Sequence, residues 1–145
     1  MNANEMWNKF CESKNISLPI CESWQFGDDA DHLANLVLNG EKSATSSAYE
    51  LYGIEGEDLP QIGEYNIILY SNGQAACITK TTNVYISKFN EISARHAFLE
   101  GEGDKSLPYW NEVHERFFSS EFTQYGISFN NDILVVCEEF EVVYK

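Results

Sequence analysis

A predicted β-hairpin in the middle of the chain constrains its fold more than any other feature. Residues 64–70 and 74–86 are rich in β-branched and aromatic side chains, and Ser71-Asn72-Gly73 between them is a typical turn between antiparallel strands. Residues 132–144 form a further β-rich segment of one strand or two. Its core candidates are Ile133, Val135, Phe140 and Val142. These segments predict a curled, mainly antiparallel sheet.

Four other segments have helical periodicity. Residues 3–14 place three apolar side chains on one face, which predicts an amphipathic N-terminal helix; they are Met6, Trp7 and Phe10. A second helix begins after Asp28-Asp29, where an aspartate can cap it, and ends at Asn39-Gly40. Ser93 and Ser106 can each cap a later helix.

The connecting segments complete the predicted domain. Residues 41–49 are small and hydroxyl-rich, and we predict a turn that leads into a short helix. Residues 55–63 are acidic, contain proline and glycine, and predict a loop. The chain is therefore predicted to be one α+β domain over residues 1–145, a curled β-barrel of mainly antiparallel strands with helices at its rim. Residues 1–22 would be an N-terminal helical extension of the core at 23–145.

The charge balance limits the partners that this chain can bind. Nine basic residues stand against 23 acidic ones, which gives a formal net charge of −14. Nucleic-acid-binding proteins gain much of their affinity by neutralising phosphates with Lys and Arg, and a field of the opposite sign repels a polyanion. We therefore expect a small, neutral or weakly charged ligand such as a nucleoside, and a long nucleic acid is disfavoured.

The sequence has no feature of a membrane or exported protein. No apolar run approaches the roughly 20 residues that cross a bilayer, and Met1 to Glu5 lacks the basic and apolar parts of a signal peptide. We expect a cytoplasmic location. Four cysteines lie far apart without a Cys-x-x-Cys pair, which predicts free thiols and neither a metal site nor another cofactor; they are Cys11, Cys21, Cys77 and Cys137.

The segment from Gly40 to Thr45 is the first candidate for chemistry. Lys42 and Thr45 are three residues apart, so one helical turn would place the ammonium and the hydroxyl on the same side. A lysine beside a threonine can assist deprotonation of the hydroxyl or bind a carbonyl oxygen. The alternative is a helix-ending glycine followed by a solvated lysine and a capping threonine.

The second candidate is the acidic loop that follows His96. Glu100, Glu102 and Asp104 alternate with glycines, which allow a sharp bend or close approach to a ligand. Such acids can transfer protons, bind the edge of a base or gather a divalent ion. A flexible acidic surface loop is the alternative.

The third candidate is Trp110 with His114, one helical turn apart. The two rings can stack on a planar ligand or orient a carboxylate. The alternative is core packing with one buried, hydrogen-bonded imidazole.

Taken in order, these segments resemble the ASCH (activating signal cointegrator homology) family. The matching landmarks run from Trp24 to Phe140, most of the chain, and leave the N-terminal helix as an addition. They are Trp24-x-Phe26-Gly27, Gly40-x-Lys42-x-x-Thr45, Leu59-Pro60-x-x-Gly63, Cys77-Ile78-Thr79-x-Thr81, Phe89, Ala97-x-x-Glu100-Gly101-Glu102-Gly103-Asp104 and Trp110-x-x-x-His114.

The resemblance implies a PUA-like β-barrel with a cleft that holds the Gly-x-Lys-x-x-Thr segment. Members of the family have been linked to RNA binding, to ribonuclease action and to removal of the acetyl group from N4-acetylcytidine. In the deacetylating branch a lysine, a threonine and a glutamate act together, and Lys42, Thr45 and Glu100 match them. The resemblance implies Thr45 as nucleophile on the acetyl carbonyl, Lys42 as its base, and Glu100 as proton donor to the leaving amine.

The same resemblance suggests residues that would hold the base of the ligand. Trp24, Phe26 and Trp110 would wall it, and Glu102 would read its polar edge. Further ligand-binding candidates are Gly27, Asp104 and His114.

Three functions fit this resemblance. The leading hypothesis is a small-molecule hydrolase that acts on an acylated pyrimidine nucleoside such as N4-acetylcytidine. The alternatives are a non-catalytic RNA- or nucleotide-binding module and a metal-assisted ribonuclease that uses Glu100, Glu102 and Asp104. Longer family members tend to have arginine after the tryptophan, whereas this chain has Asn111, and the missing cation makes RNA cleavage the weaker hypothesis.

Overall fold

Five strands form one mixed sheet that curls into a half-barrel. The computed structural model describes all 145 residues. The strands are β1 (Glu22–Trp24), β2 (Ala44–Ala48), β3 (Tyr65–Leu69), β4 (Ala75–Lys88) and β5 (Leu134–Tyr144). They lie in the order β1-β3-β4-β5-β2, with β1 parallel to β3 and every other pair antiparallel. The predicted α+β class is confirmed. The barrel stays open because β1 and β2 are the two edges.

Five helices surround this sheet, and every predicted helix is present. They are α1 (Ala3–Lys14), α2 (Ala30–Leu38), α3 (Tyr49–Glu55), α4 (Ala94–Glu100) and α5 (Leu107–Gln124), with a 3-10 turn at Phe89–Glu91. Ser93 and Ser106 cap α4 and α5 by accepting backbone N–H bonds, as predicted. The predicted aspartate cap of α2 is wrong, because Asp29 has a φ of 47° and its side chain makes no cap bond. None of the helices has the length and apolar character that crossing a bilayer requires.

The predicted hairpin is the centre of the sheet. β3 and β4 pair in antiparallel register with Ile67 opposite Ile78, and Gly73 supplies the positive φ of the turn between them. Residues 132–144 contribute one strand, β5, which pairs with β4 on one side and β2 on the other. β5 is therefore the strand that connects the hairpin to the segment that follows Lys42.

The prediction for residues 41–49 was wrong in one respect. A strand, β2, precedes the short helix α3. Small hydroxyl-bearing residues have no strong preference of their own, and the pairing of Ala44–Ala48 with β5 decides the conformation. Thr45 therefore lies on an extended strand, and a helical turn does not relate it to Lys42. The three-residue edge strand β1 was also missed, since so short a segment has no periodicity to detect.

Three apolar clusters pack against the sheet. The first lies under α4 and α5 and the second under α2. The third holds α1 against β3 and β4 through Met6, Trp7 and Phe10, which confirms the predicted face of that helix. The space between α2, α5 and the edge strands is not filled by apolar side chains, and the cleft described next lies there.

Candidate functional site

A wide polar cleft opens between α2, α5 and the edge strands β1 and β2. Its volume is about 1570 Å³, and only 10 of its 34 lining residues are hydrophobic, so it suits a polar ligand. Eight of the predicted site residues line it: Trp24, Phe26, Gly27, Lys42, Thr45, Glu100, Glu102 and His114. The other two, Asp104 and Trp110, do not.

Lys42 is a buried cation on the floor of this cleft. The residue is 2% exposed, and its Nζ lies 2.9 Å from Glu102 Oε2 and 3.2 Å from Glu100 Oε1. A third, longer contact of 3.4 Å reaches the backbone carbonyl of Glu100. The ring of Phe26 is 5.2 Å from Nζ, within cation–π range. Three oxygen acceptors around one nitrogen match the three donors of an ammonium group.

The backbone around Lys42 is fixed by contact with the end of α4. Ser43 donates its N–H to the carbonyl of Leu99 at 2.8 Å. Gly101, with a φ of 73°, lies so close to Glu41 that a Cβ there would collide with the Glu41 carbonyl oxygen. Only glycine fits at this contact, since other residues have both a Cβ and a strong preference for negative φ. The first glycine of the acidic loop thus brings Lys42 to its carboxylates.

Glu100 is the most heavily bonded side chain of the site. Its Oε1 faces the lysine, and its Oε2 accepts from the hydroxyl of Ser46 at 2.6 Å and from the indole N–H of Trp110. The Nε2 atoms of His96 and His114 lie 3.1 and 3.5 Å from the same oxygen. The residue is 2% exposed. Glu100 is therefore held in place by its partners and exposes little of its own surface to the cleft.

The electrostatic surroundings keep Glu100 ionised. Burial by itself raises the pKa of this carboxyl, but the Lys42 charge and the hydrogen bonds from His114 and His96 outweigh it and hold the pKa well below its ordinary value. A carboxylate in this state has no proton to give at neutral pH. Glu102, the other carboxylate that contacts Lys42, has a side chain that is 20% exposed and is the more accessible of the two.

Trp110 and His114 form a stacked pair behind the carboxylate. Their ring centroids are 4.1 Å apart with an angle of 14° between the planes, and His114 Nδ1 lies 2.9 Å from the Trp110 carbonyl oxygen. Trp110 is 2% exposed and outside the cleft, so the expectation that it walls a ligand is wrong. Its indole N–H instead holds Glu100. His114 reaches the cleft and faces Glu100, which combines packing with a polar contact.

Thr45 and Asp104 do not join the ion cluster. Thr45 lines the cleft from β2 and is half-buried, and Lys42 donates to the glutamates and not to it. Asp104 is turned away: it accepts from the Ser106 backbone at 2.9 Å, and the bonds to Ser106 lower its pKa. No set of three His, Cys, Asp or Glu side chains is arranged to hold a metal ion.

Three polar residues of the site were missed by the sequence reasoning. Ser46 and His96 lie 2.6 Å apart, Oγ to Nε2, against Glu100. The spacing of His96 and Glu100, four residues apart on one helix face, was a usable signal. Asn66 on β3 also lines the cleft, with its Oδ1 accepting from the Trp24 indole at 3.0 Å. Nothing local distinguishes Asn66 from a surface asparagine.

The walls of the cleft are strongly acidic. Lys42 and Arg116 are the permanent cations among the lining residues. The lining carboxylates are Glu22, Asp28, Asp29, Glu57, Asp58, Glu64, Glu100, Glu102, Glu121 and Glu138. Burial raises the pKa of Glu121 and of Glu138 above the ordinary value. A phosphate backbone would meet repulsion here, so the local field has the same sign as the net charge.

Comparison with known proteins places this geometry in a family. The sequence profile described as the ASCH domain matches residues 22–144. The structure of an ASCH domain from Lactobacillus crispatus JV V101 is 35% identical, with a TM-score of 0.90 over 99% of this chain and 94% of that one. A protein of Enterococcus faecalis V583 is 37% identical, with a TM-score of 0.92 over 99% of this chain and 88% of its own.

A more distant structure shares only the fold. It is that of a hypothetical protein, 17% identical with a TM-score of 0.53, matched over 84% of this chain and 96% of its own. No match was found among the curated proteins.

Proposed function

This chain belongs to the ASCH domain family, and we propose that it is a small-molecule hydrolase that removes the acyl group from a modified pyrimidine nucleoside such as N4-acetylcytidine. The observation that carries this proposal is the buried Lys42, held between Glu100 and Glu102 in the cleft that Thr45 also lines. A buried ion pair contributes little net stability, so such a cluster in a cleft points to a functional role.

Thr45 is the proposed nucleophile. Thr45 lines the cleft, and its hydroxyl makes no hydrogen bond to the ion cluster, so it is proposed to be available to a ligand. Attack of Oγ1 on the acetyl carbon forms a C–O bond and breaks the C–N bond to the base amine. Water then hydrolyses the acetyl-threonine ester and releases acetate.

Charge stabilisation and proton transfer are the proposed roles of Lys42 and Glu102, respectively. The three donors of Lys42 Nζ are used by Glu100 and Glu102, so its proposed role is to stabilise, through its positive charge, the negative charge that develops on the acetyl oxygen. Glu102, the more exposed of its two carboxylates, takes the proton from Thr45 and returns it to the leaving amine. Glu100 anchors Lys42 and is not the proton donor in this scheme.

The charge of the cleft favours a nucleoside over RNA. Attraction to phosphates dominates nucleic-acid affinity, and the carboxylates that line this cleft oppose it. A neutral nucleoside avoids that cost. The RNA-binding module therefore stays a second candidate without an observation in its favour.

Acetate release from N4-acetylcytidine tests the proposal. The purified protein should liberate acetate with turnover, whereas Thr45→Val should release none above the uncatalysed rate while keeping the fold. Thr45→Ser is the matched control, because it keeps a hydroxyl at the same place on β2 and should retain measurable activity.

Lys42→Met separates catalysis from binding. Loss of oxyanion stabilisation typically costs about 10²–10³ in kcat, so kcat should fall by that order with a smaller change in KM. Undiminished turnover in Thr45→Val would point to direct attack by water. Absence of acetate release across a panel of acylated nucleosides would refute the hydrolase.

A further inference from the structure

The hydrogen bond from Trp24 fixes the orientation of the Asn66 side-chain amide in the cleft. The residue lies on β3 beside β1, and Trp24 Nε1 is 3.0 Å from its Oδ1. An indole N–H is only a donor, so the atom that faces it must be the amide oxygen. A flipped amide would place two donors against each other. The NH₂ group of Asn66 therefore points away from Trp24.

That NH₂ group has no partner within the chain. Asn66 is 9% exposed, and its one side-chain hydrogen bond is the bond through Oδ1. The only fully buried side-chain nitrogen or oxygen without a partner is His96 Nδ1. Nδ2 of Asn66 is therefore accessible, and because the residue lines the cleft, it is accessible from the cleft.

Asn66 differs from other free donors of this cleft, such as the exposed Arg116, because it is nearly buried and its amide is held in one orientation. Most of its charged lining residues are carboxylates, which at neutral pH only accept hydrogen bonds. The donors of Lys42 are already used by oxygen atoms of Glu100 and Glu102. A ligand edge made of acceptors thus finds an unused, oriented donor at Asn66, next to the edge-to-face pair of Trp24 and Phe26, whose centroids are 4.9 Å apart.

We propose that Asn66 is a specificity-determining residue that donates from its NH₂ group to N3 of a cytosine-type base. This inference rests on the proposed function for the class of substrate. Cytosine presents acceptors at O2 and N3, and acylation of its amino group leaves both in place. Uracil carries a hydrogen on N3, which would face the Asn66 donor. The site is therefore selective for cytidine-type over uridine-type nucleosides.

Binding of cytidine and uridine, measured by calorimetric titration, tests this selectivity. Neither nucleoside carries an acyl group, so the result does not depend on turnover. Wild-type protein should prefer cytidine by about tenfold in Kd, the scale of one hydrogen bond made in one ligand and opposed in the other. Asn66→Ala should bring the ratio of the two Kd values close to one.

Asn66→Asp is the more discriminating of the two variants. It keeps the acceptor for Trp24 and replaces the NH₂ donor by an acceptor, so the preference should reverse towards uridine. Asn35→Asp is the matched control, since this exposed residue also accepts from an aromatic side chain, lies outside the cleft and adds the same charge. It should keep the wild-type ratio.

The outcomes separate this inference from the hydrolase proposal. An equal preference in wild type and all variants, no preference in wild type, or no binding of either nucleoside would overturn the role of Asn66. A cytidine–uridine preference that changes with the residue at position 66, found together with no acetate release, would leave that role intact and refute only the hydrolase. Should Asn66→Asp fail to fold by circular dichroism, Asn66→Ala still decides.

Discussion

Replacing Glu100 by glutamine is the most direct test of the ion cluster. The substitution keeps size and removes the charge, so Lys42, 2% exposed, retains only Glu102 as a carboxylate partner. In the native protein both carboxylate oxygens of Glu100 face hydrogen-bond donors. The NH₂ group of a glutamine at this position would therefore face a donor in either orientation of the amide. Removing one partner of a buried pair costs about 3–5 kcal/mol, and because Glu102 remains we expect a loss of about 3 kcal/mol.

Urea unfolding followed by tryptophan fluorescence measures this loss. With a slope of about 2 kcal/mol per molar urea, the midpoint should fall by roughly 1.5 M. Glu112→Gln is the matched control, because Glu112 is exposed on α5 and its replacement should change stability by less than about 0.5 kcal/mol. A Glu100→Gln protein as stable as this control would refute the reasoning that the carboxylate holds a buried cation.

The pH dependence of the stability difference between wild type and Glu100→Gln provides a second check. The folded-state pKa of Glu100 is depressed, so its stabilisation is present above the unfolded value, near 4.5, and is lost as pH falls from there through the folded pKa. Glutamine does not titrate. The gap between wild type and Glu100→Gln should therefore be full at pH 7 and narrow below about pH 4.5.

Three further predictions follow from single features of the structure. Gly101→Ala should destabilise the protein and impair the site, because a Cβ there would collide with the Glu41 backbone. Gly40→Ala, at a similar φ of 77° but in open space, should lower the free energy of unfolding by only about 1 kcal/mol, as measured by thermal melts. Glu138→Gln should raise Tm at pH 7 by about 2–4 °C, since burial raises the pKa of this carboxyl and disfavours its charged form. The gain in Tm over wild type should shrink as pH falls below that raised pKa, because Glu138 of the wild-type native state then becomes protonated. Cys77 and Cys137 are buried free thiols with pKa values raised to about 12, so mass spectrometry after iodoacetamide treatment at pH 8 should find both unmodified in the native state and modified in urea.

The elements that the sequence predicted correctly share one physical property. Each has a strong local signal: the Ser71-Asn72-Gly73 turn, the capping serines of α4 and α5, and the apolar stripe of α1. The two strands that were missed lie where local preference is weak. β2 is a strand because β5 pairs with it, and β1 because it extends the edge of the sheet beside β3.

The candidate site divides in the same way. Lys42 lies against Glu100 and Glu102, although they are 58 and 60 residues from it in the chain. Trp110 was expected to wall a ligand and instead is buried outside the cleft, since a helical spacing does not say which face of α5 borders the cleft. The role of Asn66 has no local signature, because it depends on an indole 42 residues away.

What the sequence alone determined is the class of fold, its helices and central hairpin, and the acidic character of the chain. These follow from periodicity, turn chemistry and charge, which act over a few residues or over the whole chain. Only the tertiary structure decided which carboxylate is locked and which is accessible, and which way an asparagine amide points. Burial and hydrogen-bond partners decide those properties, and both come from contacts between residues that are distant in the chain.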